Sequence, residues 1–196
     1  IKATPLTPNL GPGLAPAYLI SGDEPLLVQQ SCDAIRKACR HLGFADREVY
    51  HIDDKNGPWD DVLASAASLS LFSDKKLMEL RCKSSKIGDA GSKAILHYLQ
   101  NPSPDVVWLI VMPKLEAAQS RSKWYKALEK DAVVCPIWPI ESAQLPRWIE
   151  QGLAQHNIKA SPDAIAFLAE NVEGNLLAAQ QEIDKLALLK TGETVD

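Results

Sequence analysis

Val106-Val107-Trp108-Leu109-Ile110-Val111 is apolar at every position. A strand with one face in water alternates apolar and polar residues, because successive side chains point to opposite sides. An unbroken apolar run of this length fits a central strand of a parallel sheet, covered by helices on both faces. That requirement commits the chain to an α/β architecture, and the neighbouring segments supply the other layers. Ala17-Tyr18-Leu19-Ile20, Arg47 to Ile52, Lys76 to Arg81 and Val133-Val134-Cys135 read as further strands. Pro136 predicts that the last of these is cut short or lies near an edge.

Helical segments alternate with these strands. Leu27 or Val28, Cys32, Ile35, Cys39 and Leu42 recur at helical spacing after Pro25, and Gly43 supplies the stop. Trp59, Val62, Leu63 and Ala66 mark a second helix, Ile95, Leu96 and Leu99 a third, and Ser122 to Lys130 a fourth. The expected fold class is α/β, a parallel sheet flanked by helices, over residues 1–140, with Pro- and Gly-rich residues 1–16 as a lead-in. From 141 to 196 the pattern becomes all-helical. Leu145-Pro146-Arg147-Trp148-Ile149 opens one helix, Ser161-Pro162-Asp163 a second, and Asn175 caps a third carrying Leu176, Leu177, Ile183, Leu186 and Leu189 before Gly192. These predict a small three-helix domain.

The 196 residues are 46% hydrophobic and 23% charged, with a formal net charge of −4. That is enough chain for two cores, and the mild acidity argues against strong unaided nucleic-acid binding. Lys83, Lys86 and Lys93 form a local basic exception. No stretch has the length and hydropathy of a membrane span. Cys32, Cys39, Cys82 and Cys135 include no CxxC pair, and the four histidines are scattered, which favours cysteines in a reduced core over a metal site or disulfide. No cofactor is expected.

A parallel α/β domain followed by a helical one invites the expectation of an ATPase, and the first strand-to-helix turn tests it. Cradling a polyphosphate takes GxxxxGK[ST], which surrounds the phosphates with backbone N–H groups and a lysine. Ser21-Gly22-Asp23-Glu24-Pro25 has one glycine, no lysine, two carboxylates and a proline that lacks the N–H. Each carboxylate–phosphate charge pair at short range costs on the order of 4 kcal/mol in a partly buried site. Neither the Leu77–Arg81 strand nor the Val106–Val111 strand ends in an Asp-Glu pair for a metal. Asp53-Asp54 reads as a solvated turn, Ser120-Arg121 is a slender basis for an arginine finger, and no GxSxG nucleophile elbow occurs.

Ala67-Ser68-Leu69-Ser70-Leu71-Phe72-Ser73 fits neither a period of 2 nor one of 3.6, since Leu71 and Phe72 are adjacent. Two readings stand on pattern alone: the end of a core helix, or an exposed apolar anchor for a partner's pocket.

Taken together, Ala17 to Leu27, Ser68 to Phe72, and Gly174-Asn175-Leu176-Leu177-Ala178-Ala179 with Glu182, Lys185 and Leu186 resemble the delta subunit of the bacterial DNA polymerase III clamp loader, in order from about Ala15 to Leu189. The resemblance implies an AAA+-type (P-loop NTPase type) domain without a working ATP site, a helical lid, and a C-terminal collar domain lying beyond this chain. It implies binding of the sliding beta clamp and ring opening for loading onto primed DNA. It also implies assembly with the tau/gamma and delta-prime subunits through the collar, DNA contact only within the complex, and a cytoplasmic place in the replisome. The clamp-contacting residues then map to Leu69, Ser70, Leu71 and Phe72, with Ala67 where many clamp-binding peptides carry Gln. Leu177 stands where active relatives place an Arg that reaches the nucleotide. A degenerate-loop ATPase and an α/β adaptor for some other protein are the alternative readings.

Overall fold

The computed structural model describes residues 13–53, 57–68, 75–172, 174–189 and 194–195. The chain divides into two compact units, one ending at Trp138 and the other beginning at Pro139.

In the first unit, five strands, β1 (Ala17–Gly22), β2 (Asp46–Ile52), β3 (Lys76–Cys82), β4 (Val106–Met112) and β5 (Val133–Ile137), form one sheet of order β2-β3-β4-β1-β5. Every pairing is parallel. The connections carry α1 (Pro25–His41), α2 (Trp59–Ala67), α3 (Gly88–Gln100), the four-residue α4 (Ala117–Ser120) and α5 (Lys123–Asp131). One face of the sheet meets α2, α3 and α5 in a core that includes Leu19, Met78, Leu80, Trp108, Ile110, Trp59, Ile95 and Leu128. α1 covers the other face over β1 and β4. Both faces of β4 are therefore dry, which is why its sequence shows no alternation. Trp108 stacks on Tyr98 with ring centroids 4.0 Å apart, and the Tyr98 hydroxyl reaches Val106 O at 2.8 Å.

Several local expectations are corrected. Leu42 does not continue the apolar stripe of α1. It is the C-cap and is 46% exposed, and after Gly43 turns the chain at φ 89° it is Phe44 that is buried. For Pro136 the edge alternative holds: β5 is an edge strand pairing only with β1, its outer side asks for no N–H from the proline, and the strand runs on to Ile137. Of the charged residues of β3, Lys76 and Glu79 are buried and Arg81 is exposed.

The second unit contains a short 3₁₀ turn (Ser142–Gln144), then α6 (Leu145–Gln155), α7 (Pro162–Asn171) and α8 (Leu176–Leu189). Two residue-pair strands, β6 (Lys159–Ala160) and β7 (Thr194–Val195), pair in parallel and were not expected. Ser161 Oγ accepts from Ala164 N and Asn175 Oδ1 from Ala178 N, so both sequence-predicted N-caps are made. On α8 the buried stripe is Leu176, Ala179 and Ile183. Leu177 and Leu189 fall off it, at 54% and 79% exposed, because 100° per residue turns them away from α6. The expected stop at Gly192 lies outside the described residues.

Candidate functional site

Three places were singled out by sequence, and the structure describes them unequally. The first is the β1–α1 turn. Ser21 and Gly22 are the last residues of β1 and Pro25 is the first of α1, so only Asp23 and Glu24 connect them. Two residues cannot wrap a phosphate as the four between the glycines of GxxxxGK[ST] do. Glu24 occupies the N-cap without a side-chain bond, and Asp23 Oδ1 accepts from Lys114 N at 3.0 Å, tying the turn to the segment after β4. Gly22 has a packing reason of its own: a Cβ there would approach Ile137 Cβ to 2.7 Å and strike the Ile137 carbonyl oxygen.

Beside this turn, a cavity of about 570 Å³ opens at the carboxyl ends of β1, β3 and β4, where open parallel sheets hold their ligands. Its walls include Asp23, Gln29, Arg36, Arg81 and Met112. The guanidinium groups are already engaged. Glu79, wholly buried, accepts from Arg36 Nε (3.0 Å) and Nη2 (2.7 Å), from Arg47 Nε (3.0 Å) and from Arg81 Nε (2.7 Å). Burial pushes the Glu79 carboxyl up. The hydrogen bonds from Arg36 and Arg81, with the charges of Arg36 and Arg47, overcome this and bring it down to about 2. Sequence reasoning missed this cluster, whose parts come from α1, β2 and β3.

The second place is the segment between α2 and β3. Leu69, Ser70, Leu71 and Phe72 lie outside the described residues. The residues on either side are described. α2 ends at Ala67, Ser68 N donates to Ala64 O at 3.0 Å, and β3 begins at Lys76. A cavity of about 440 Å³ borders this junction, lined by Leu63, Ala66, Ser68, Lys76 and Tyr98 among others.

The third is the lysine group. Lys83 lies 3.8 Å from Asp53 and Lys86 3.4 Å from Glu116, both pairs well exposed. Asp54 lies outside the described residues. All four cysteines are buried and unbridged, and among the described residues no cluster of His, Cys, Asp and Glu has the makings of a metal site. No helix among them is long and apolar enough to cross a membrane.

The family model described as DNA polymerase III, delta subunit, matches residues 18–137, from Tyr18 in β1 to Ile137 at the end of β5. The chain belongs to the DNA polymerase III delta subunit family. The DNA polymerase III subunit delta of Escherichia coli (strain K12) is 32% identical over 184 residues, covering 94% of this chain and 53% of the relative. That of Bacillus subtilis (strain 168) is 24% identical over 178 residues, covering 87% and 51%. The chain thus spans about half the length of the curated relatives it matches. Among solved structures, the Bacillus subtilis DNA clamp loader delta protein superposes with a TM-score of 0.70 at 20% identity, over 92% of this chain and 56% of that one. A Thermotoga maritima RuvB variant gives 0.50 at 11% identity, over 94% and 59%. At these identities the structural matches speak for the fold, which is the AAA+-like arrangement expected from the sequence.

Proposed function

We propose that this chain is the clamp-contacting part of a clamp-loader delta subunit in bacterial DNA replication. It binds the sliding beta clamp through Leu69, Ser70, Leu71 and Phe72 and helps open the ring for loading onto primed DNA, without hydrolysing ATP itself. The observation that carries this reading is the family match over residues 18–137, which brackets the α2–β3 junction where Leu71 and Phe72 stand. The Asp23-Glu24 turn supports its second half, being short, acidic and without a lysine.

Burying a leucine and a phenylalanine in a clamp pocket is worth roughly 3–6 kcal/mol before ordering costs. Such a contact opens the ring only to the extent that it binds the open form better than the closed one. Other loader subunits, tau/gamma and delta-prime, and DNA held within the assembled complex complete the partners of this reading, and its place is the replisome.

The test is clamp affinity, by surface plasmon resonance, of the Leu71→Ala/Phe72→Ala variant, with its fold checked by circular dichroism. A loss of at least about 30-fold is expected for a pair of hot-spot side chains. Wild-type affinity in the folded variant would overturn the assignment.

A further inference from the structure

Arg47, Val49 and His51 are the exposed positions of β2, alternating with half-buried ones. In the parallel register Val49 lies beside Glu79 and His51 beside Arg81 of β3, so all of these side chains share one face of the sheet. Arg36 of α1 reaches Glu79, which makes this the face that α1 covers over β1 and β4. Over β2 and the end of β3 it lies open. Val49 is 39% exposed there, and the side chains of Arg47 and Arg81 are 42% and 46% exposed.

Glu79 gathers the two exposed guanidinium groups at one point. Arg47 Nη2 lies 2.9 Å from Glu79 Oε2, which also takes its Nε, while Arg81 Nε donates to Oε1. Arg36 is spent differently, with Nε and Nη2 on Glu79 and Nη1 on Asp33 at 2.6 Å. Arg47 Nη1 and both terminal nitrogens of Arg81 make no hydrogen bond to the described residues. Three guanidinium groups against the Glu79 and Asp33 carboxylates leave a surplus of one positive charge. The unspent donors belong to the two exposed arginines. A guanidinium already held along one edge loses little freedom when it binds a second carboxylate with its other N–H groups.

The surroundings select among anionic partners. A nucleic acid gains its affinity from many phosphate contacts on a broadly positive surface. This chain carries a net charge of −4, and the surplus on this face is a single charge beside an exposed valine. A protein segment satisfies both halves of such a patch, with a carboxylate for the arginines and an aliphatic side chain for the valine. We propose that the open face of β2 and β3 docks an acidic segment of a partner protein, an aspartate or glutamate of which sits on Arg47 and Arg81 while an aliphatic neighbour packs on Val49. This surface does not depend on the reading of Leu71-Phe72.

The probe is a capped peptide of alternating glutamate and valine, titrated by calorimetry and followed through backbone amide chemical shifts. Saturable binding is expected, weakening as salt is raised, with shifts concentrated at Arg47, Val49 and Arg81. Arg81→Gln should weaken it at least about tenfold, the loss of a charge-assisted contact. Val49→Glu should do the same. It leaves every partner of Glu79 in place and sets a tethered carboxylate beside the guanidinium groups, so it decides the matter if Arg81→Gln fails to fold. Absence of saturable binding overturns the proposal, as does wild-type affinity in the folded Val49→Glu variant. Tighter binding of a single-stranded oligonucleotide, lost in the same variants, would assign the face to nucleic acid and overturn the acidic protein segment.

Discussion

Glu79 shows how much one residue can depend on distant ones. A carboxylate with no exposed surface, in the middle of a sheet, is tolerated only because three guanidinium groups surround it, from Arg36, Arg47 and Arg81. Removing the carboxylate leaves those cations facing one another, so Glu79→Ala should destabilise the protein by about 3–5 kcal/mol, measured by urea unfolding. The pH dependence follows from the lowered carboxyl. Its folded value of about 2 lies below the unfolded value near 4.5, so the stabilisation is present above the unfolded value and lost as pH falls toward 2. The difference is worth about 3 kcal/mol. Melting temperature should therefore fall between about pH 5 and 2, and Glu79→Gln should flatten that part of the profile. An unchanged profile in the glutamine variant would show that Glu79 is not the titrating group. None of this was legible in the sequence, because a single polar residue in a strand carries no sign of partners 32 and 43 residues away.

At the scale of elements the sequence was more open. The dry run of β4, the caps at Ser161 and Asn175, and the proline at the start of α1 are local signals, and the structure uses each of them locally. β5 takes the edge place that Pro136 allows, whereas Leu177 departs from the expected stripe because the helical period turns it away from α6. The β1–α1 turn joins both lessons. Its glycine looks like the remnant of a phosphate loop, yet Gly22 sits opposite Ile137 in the β1–β5 register with no room for a side chain. Gly22→Ala should then cost about 1–3 kcal/mol through overpacking against backbone that cannot easily yield. A denaturant midpoint unchanged from wild type would mean that β5 moves aside freely.

Across the whole chain, the composition and the order of elements pointed to two units with different secondary structure, and the structure divides the chain at Pro139. What the whole molecule is expected not to do is equally testable. An ATPase of this architecture would need a phosphate cradle at the head of α1, a metal-binding carboxylate pair at a strand end and a cation from the helical unit. The first is the two-residue Asp23-Glu24 turn, β3 ends in Arg81-Cys82, and the family resemblance would put uncharged Leu177 in the place of that cation. ATP with magnesium at about a hundredfold excess over a true Kd stabilises a folded protein by about 2.7 kcal/mol. In a chain of this size each kcal/mol moves the melting temperature by about 2–4 °C. No shift is therefore expected with millimolar ATP, and no heat beyond dilution by calorimetry. Micromolar binding, abolished by substitutions around Gly22 and Arg81, would restore nucleotide chemistry to the cavity beside the turn and displace the proposal that this chain works without hydrolysing ATP.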